Sequence, residues 1–174
     1  MKTTRIAQFT LVAAALAFAL PARADTMSVP TAANAAYTFE VPSTWKPKAN
    51  TGDESVEATA PNNAAYLSAW MTKTSDKDAE QALAKDMETT LKDAMKSVDP
   101  GSTQTTIDVN GTSIIVVKGS GVDKRAGTKV QFRVAIFSAG ADKVGIVYAD
   151  YDNNAPDDAM KELQGIIGSI KVKK

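Results

Sequence analysis

The chain has 174 residues, 44% of them hydrophobic, and balances 20 basic against 20 acidic side chains. It contains neither cysteine nor histidine. These absences exclude disulfide bonds, a Ser-His-Asp triad, a Cys-His pair, and zinc, copper or haem sites with their usual ligands.

Residues 1–24 have the pattern of a secretory signal peptide. Lys2 and Arg5 precede an apolar stretch over 6–20, and Ala22-Arg23-Ala24 forms a small-x-small cleavage box. We therefore expect cleavage after Ala24 and a periplasmic or secreted protein, with no membrane span in the mature chain. The mature part has three more acidic than basic residues, which argues against nucleic acid or anionic lipid as a partner.

The mature chain begins with a small-residue segment and continues into three predicted strands. Residues 25–36 are rich in alanine and indicate a flexible N-terminal arm. Alternation of apolar and polar residues predicts strands over 37–41, 55–59 and 65–72.

Four aromatic residues in this part have two possible roles. Tyr37, Trp45, Tyr66 and Trp70 either line a ligand groove or belong to the core. Trp45 follows the turn at Pro42, and the sequence favours a position in which its side chain fills the end of the core. Tyr66 and Trp70 share a strand face with Ser68. This face is either covered by a helix or forms an exposed aromatic patch.

A long helix is predicted from a capping box at 75–78 to about Ser97. Asp99-Pro100-Gly101 ends it. Its methionines suggest either an adaptable binding stripe or a buried face, and their helical spacing favours the buried face. The apolar stripe comprises Ala79, Ala82, Leu83, Met87, Leu91, Ala94, Met95 and Val98.

The second half is predicted to consist of hairpins followed by a second helix. Asn110-Gly111 is a strong hairpin signal, and the apolar run 114–117 predicts a central strand buried on both faces. Asn153-Asn154 leads into a helix with Pro156 near its first position, and a short closing strand or extended tail follows it. The predicted strands cover 103–109, 112–118, 128–138 and 143–151, with a glycine-bearing loop over 119–127.

This order of elements predicts an α+β fold. A mainly antiparallel sheet of about six to seven strands would be covered by two helices, in a single domain over 37–174.

Two segments resemble the PsbP-like superfamily, which includes photosystem II extrinsic PsbP proteins, Ran-binding Mog proteins and exported bacterial DcrB-like proteins. The segments are YTFEVPSTWK, beginning at Tyr37, and MKELQGIIGSIK, ending at Lys171. The resemblance implies a PsbP-like α/β sandwich and a non-enzymatic binding or assembly role. It transfers no site residue, because the metal-associated histidines of the photosystem subunits have no counterpart in this chain.

The acidic segment 150–154 begins like a calcium loop, with Asp150, Asp152 and Asn154 at alternate positions. Ala155 and Lys161 then stand where such a loop needs glycine and a bidentate glutamate. The pattern favours the turn and N-cap of the last helix over a weak calcium site.

Two further patterns have a chemical and a structural interpretation. The segment 119–129, with Lys124 and Arg125, suggests phosphate cradling but lacks the P-loop order, so a hairpin tip able to engage a partner is favoured. Asp53-Glu54 is a carboxylate pair of the kind a hydrolase uses, at a spacing that occurs by chance in an acid-rich chain.

The sequence therefore predicts no catalytic, cofactor-binding or metal-binding residue. It favours an exported periplasmic binding or accessory protein that contacts another protein or an envelope component, rather than an enzyme. A periplasmic inhibitor or immunity protein and a carboxylate-dependent hydrolase are the alternatives.

Overall fold

A computed structural model describes residues 23–52, 54–73 and 79–173, without the side chains of 79–84 and 86. Most of the predicted signal peptide, the capping box at 75–78 and Asp53 therefore lie outside the described residues. No helix within these ranges is long and apolar enough to cross a membrane.

The described residues form eleven strands, two α-helices and two short 3₁₀ turns. The turns are Ser43–Trp45 and Pro61–Asn63, and the helices are α1 (Ala79–Ala94) and α2 (Asp157–Gly168). The strands are β1 (Ala24–Val29), β2 (Tyr37–Pro42), β3 (Lys48–Asn50), β4 (Ser55–Thr59), β5 (Ala65–Lys73), β6 (Met95–Val98), β7 (Thr103–Val109), β8 (Thr112–Asp123), β9 (Lys129–Gly140), β10 (Lys143–Asp152) and β11 (Lys171–Val172).

Two antiparallel sheets organise the described chain. The large sheet has the order β3-β4-β5-β10-β9-β8-β6, and β7 also pairs with β8. β7 pairs with the first part of β8 and β6 with its last residues, so both share one edge. The small sheet has the order β1-β2-β11. The prediction of a mainly antiparallel α+β fold with two helices is confirmed.

The first face of the large sheet packs against the small sheet and α2. Trp45 is fully buried there and its indole Nε1 donates to Glu162 Oε2 at 2.7 Å, so it fills the core rather than lining a groove. Tyr37 is also fully buried. Other members of this core are Phe39, Val41, Leu67, Ile114, Phe137, Val147, Leu163, Ile166 and Ile170.

The second face of the large sheet packs against α1. Met87, Leu91 and Ala94 contact a core of strand residues, which confirms the buried interpretation of this part of the helical stripe. The strand residues are Val117, Val130, Phe132, Val134, Ile136, Val144, Ile146 and Tyr148. β8 contributes to both cores, as its unbroken apolar run predicts.

Two predicted boundaries differ from the structure because of pairing between distant segments. The first half of the predicted arm 25–36 lies in β1, which pairs with β2. The predicted helix end at Ser97 is wrong, since Met95–Val98 leave the helix and pair with β8. Val98, expected in the buried stripe, is 42% exposed.

The predicted loop 119–127 is also wrong over its first half, because β8 continues to Asp123. Two glycines in this half fit crowded positions in the sheet. A Cβ at Gly119 would lie 2.5 Å from the Phe132 ring, and one at Gly121 would lie 2.3 Å from the Ser97 carbonyl oxygen.

The chain after β10 behaves as predicted except at the helix cap. Residues Asn153 and Asn154 form the turn, but Pro156 is the N-cap residue of α2 and no side chain caps the helix. β11 confirms the predicted closing strand and pairs with β2.

Candidate functional site

A cleft of about 920 Å³ lies between α1 and the second face of the large sheet. The cleft has one wall formed by α1, with Thr89 and Asp93, and a floor formed by residues of β4, β5 and β10. Its described lining includes Glu57, Thr59, Tyr66, Ser68, Trp70, Thr89, Asp93, Asp123, Arg125, Val130, Tyr148, Asp150 and Asp152. This volume falls in the range of ligand-binding pockets.

Strand alternation places aromatic side chains on the floor of this cleft. Tyr66, Ser68 and Trp70 point to the second face of β5, and Tyr148 lies opposite Ser68 on β10. The two predicted alternatives for this face, cover by a helix and an exposed aromatic patch, are each partly correct. α1 lies over the face, but Trp70 remains half-buried. The floor therefore offers flat apolar surface to a ligand.

One side of the cleft holds a carboxylate, a phenol and a guanidinium in contact. The Tyr66 hydroxyl donates to Glu57 Oε1 at 2.8 Å, and the Arg125 guanidinium lies 4.9 Å from the centre of the Tyr66 ring. Burial and the bond with Glu57 raise the pKa of Tyr66, so the phenol stays a neutral donor. The Tyr66 ring therefore accepts a cation on its face.

Beside this group the cleft holds a carboxyl group with an altered pKa, that of Asp150, which pairs with Tyr66 across β10 and β5. Burial raises the pKa of Asp150 to about 6, although a hydrogen bond from the Tyr148 hydroxyl to Oδ2, at 3.0 Å, opposes this. The negative charges of Asp123 and Asp152 also raise the pKa of Asp150, and the positive charge of Arg125 lowers it. Burial also raises the pKa of Tyr148. Asp150 thus titrates just below neutral pH, where cleft carboxylates in functional sites often do.

The raised pKa predicts a pH-dependent stability. The folded state holds the Asp150 proton more tightly than the unfolded chain does. The contribution of Asp150 to the free energy of unfolding is therefore fully present below about pH 4 and is lost as pH rises through about 6. Asp150→Asn should therefore stabilise the protein by about 1–2 kcal/mol at pH 7 and by nothing measurable at pH 4. Urea denaturation across this pH range measures the difference.

Asp142→Asn is the matched control, since Asp142 is exposed in the turn between β9 and β10 and does not line the cleft. Its stability should follow that of the unmodified chain at each pH. Equal pH profiles for the unmodified chain and Asp150→Asn would contradict the burial of an ionised Asp150.

The candidate calcium segment contributes two carboxylates to the cleft lining, those of Asp150 and Asp152. Asp150 faces the cleft, Asp152 is exposed, and the Asp152 carbonyl accepts from the Ala155 amide at 2.9 Å within the turn. Within residues 23–52, 54–73 and 79–173, no three acidic side chains form a group that could hold a metal ion.

Of the other sequence candidates, the hairpin tip contributes to the cleft. Arg125, from the β8–β9 turn, reaches Tyr66, while Lys124 binds the Lys92 carbonyl at the end of α1. No sequence motif predicts that Glu57, Tyr148 and Asp150 share this site. The available signal was their position on the same strand faces as the aromatic residues.

Comparisons with known proteins identify the fold. A solution structure of cyanobacterial PsbP from Synechocystis sp. PCC 6803 superposes with a TM-score of 0.61 at 11% identity, covering 86% of this chain and 92% of that one. A crystal structure of a protein from Bacteroides thetaiotaomicron VPI-5482 gives a TM-score of 0.51 at 11% identity. It covers 79% of this chain, which spans 45% of that protein. No family model and no curated protein matches the sequence.

The chain therefore has a PsbP-like fold, an antiparallel α+β sandwich with an open cleft under its first helix. This confirms the fold resemblance carried by the segments at Tyr37 and Lys171.

Proposed function

We propose that this chain is an exported binding or accessory protein that acts by contact, and that the cleft binds a positively charged group of its partner. The partner is a protein or an envelope component that presents an ammonium or guanidinium group. The observation that carries the proposal is the pairing of an aromatic floor with an excess of carboxylates in one cleft.

The charge of the cleft favours a cationic ligand. Arg125 is the one basic residue among the described residues that line it. The carboxylates of that lining belong to Glu57, Asp93, Asp123, Asp150 and Asp152. A cleft of one sign focuses its field and raises the local concentration of oppositely charged ligands.

Arg125 indicates how such a ligand would bind. Its guanidinium already lies over the Tyr66 ring. Residues 124–129 of this turn are exposed, so the side chain can swing out of the cleft without disturbing the core. A ligand cation would replace Arg125 on Tyr66, or lie beside it against Asp150, which is opposite Tyr66 on β10.

Titration with arginine amide, a single-guanidinium probe, tests the site. The two indole N–H signals in an NMR spectrum serve as paired reporters, because Trp70 lines the cleft and Trp45 is fully buried and bonded to Glu162. We expect a saturable shift of the Trp70 signal and none of the Trp45 signal. Affinity should fall as pH drops through about 6, because Asp150 becomes neutral.

Asp150→Asn should weaken this binding about three- to tenfold and remove its pH dependence below pH 7. Lys46→Gln, outside the cleft, should leave it unchanged. The proposed cation site is contradicted if both indole signals move together, or if Asp150→Asn binds as tightly as the unmodified chain at pH 7.

Export is tested separately with the full chain expressed in a bacterium that has a periplasm. We expect the protein in the periplasmic fraction with Asp25 as its first residue. Retention in the cytosol with residues 1–24 intact would contradict export and leave the binding site untouched.

A carboxylate-dependent hydrolase is a second candidate, favoured by one observation. Asp150 has a raised pKa and shares its cleft with other carboxylates, which is the pairing that general acid catalysis needs. Saturable hydrolysis of a glycan or peptide, abolished by Asp150→Asn, would favour catalysis over binding alone.

A further inference from the structure

We propose that the first face of the large sheet carries a second binding site, a groove for a multiply charged oxyanion, formed by Lys118, Lys129 and Arg133. The groove has a volume of about 440 Å³ and lies on β8 and β9 beside the link between β6 and β7. It is separate from the acidic cleft, which opens on the opposite face.

Two cations of this groove lie directly opposite each other. Lys118 on β8 and Arg133 on β9 are paired in the antiparallel register. Like charges at such positions destabilise a sheet. Neither Lys118 nor Arg133 forms an ion pair within the described ranges. The ion pairs there join Lys92 with Glu88 and Lys161 with Asp158. The sheet therefore holds an uncompensated pair of cations at this point.

The Arg133 side chain also has an unused hydrogen-bond donor. Its Nε atom is buried and has no acceptor among the described residues. Its guanidinium lies 5.7 Å from the Tyr151 ring centre, a contact with the ring face that leaves the Nε proton without an oxygen acceptor. A buried donor without an acceptor costs free energy, which an oxyanion would recover.

Two acceptors among the polar neighbours of the groove are already hydrogen-bonded. Tyr151 donates to Gln131 Oε1 at 3.0 Å, which leaves the Gln131 amide nitrogen as a further donor. The acid in the lining, Asp99, accepts a bond of 2.9 Å from the Ser120 hydroxyl. Three cations and the Gln131 amide group therefore line the groove together with one carboxylate, that of Asp99.

This arrangement identifies the ligand class. A guanidinium donates through a planar fork to two oxygen atoms of one phosphate or carboxylate group, and the lysines add point charges. The groove is larger than a bare phosphate, so it has room for the organic part of a phosphate ester.

The test titrates the full chain with inorganic phosphate at constant ionic strength, with chloride as the replaced ion. The readouts are the NMR signal of the Arg133 Nε proton and the melting temperature. We expect a saturable shift of the Arg133 signal and a rise in melting temperature that follows the occupancy. A parallel titration with glycerol 3-phosphate distinguishes an ester ligand from free phosphate, according to which binds more tightly.

Arg133→Gln should weaken phosphate binding at least about tenfold, and Lys118→Gln about three- to tenfold. Lys171→Gln, on exposed β11, is the matched control and should bind like the unmodified chain. Lys118→Gln should also raise the melting temperature without phosphate, since it removes the repulsion with Arg133. A lysine with a purely structural role would not raise stability and lower phosphate affinity when it is replaced.

The proposal is overturned if the Arg133 signal changes linearly without saturation, or if Arg133→Gln and Lys118→Gln bind phosphate as the unmodified chain does. Trp70→Ala should leave phosphate binding intact, so failure of the cleft and failure of the groove are distinguishable.

Discussion

Replacing Trp45 with alanine should lower the free energy of unfolding by about 3–5 kcal/mol. The Trp45 side chain is fully buried between the small sheet and α2, and its indole proton binds Glu162. Alanine would leave a cavity at the end of the core and a carboxylate without its donor. Urea denaturation monitored by circular dichroism measures the loss.

Two controls separate the parts of this effect. Trp45→Phe keeps most of the apolar volume but loses the hydrogen bond to Glu162, so it should cost clearly less than Trp45→Ala. Trp70→Ala removes the half-buried tryptophan of the cleft and should cost about 1 kcal/mol or less, because its site already opens to solvent. A loss below about 1 kcal/mol for Trp45→Ala would place Trp45 outside the core.

Gly121→Ala should detach β6 from β8 and destabilise the protein by about 2–3 kcal/mol or more. The new Cβ would lie 2.3 Å from the Ser97 carbonyl oxygen, which belongs to the backbone and cannot rotate away. Gly121 pairs with Val98, and α1 runs directly into β6. The end of α1, which forms one wall of the cleft, should therefore loosen as well.

Hydrogen exchange resolves this local effect. In Gly121→Ala the amides of Met95 and Val98 should lose protection, while those of β10 keep theirs. Gly165→Ala is the matched control. Gly165 is an interior residue of α2, and a Cβ added to it would meet no atom within 4 Å. It should stabilise the protein by up to about 1 kcal/mol. Equal protection of Met95 in both variants would contradict the role of Gly121.

Features set by neighbouring residues were predictable from the sequence. Asn110 and Gly111 adopt positive φ angles of 52° and 77°, which is why their dipeptide fixes the β7–β8 hairpin. The faces of β5, β9 and β10 follow from alternation alone. The length and type of both helices follow from apolar spacing, except at the end of α1.

The parts that were not predictable depend on pairing between distant segments. Met95 and Val98 fit a helical stripe, and only the edge of β8 explains why they leave the helix. Gly119 and Gly121 resemble loop residues until the crowding by Phe132 and Ser97 is known. The cleft exists because α1 covers only part of the sheet, which no local pattern encodes.

The pairing of β11 with β2 has a consequence for synthesis of the protein. Lys171 and Val172 pair with Thr38 and Tyr37, and the Lys173 amide donates to the Ala36 carbonyl. The core under β2 also needs Leu163, Ile166 and Ile170 from the far end of the chain. A nascent chain therefore cannot complete the burial of Tyr37, Phe39 and Trp45 before residues 163–173 have left the ribosome, and these aromatic residues remain accessible to chaperones until then.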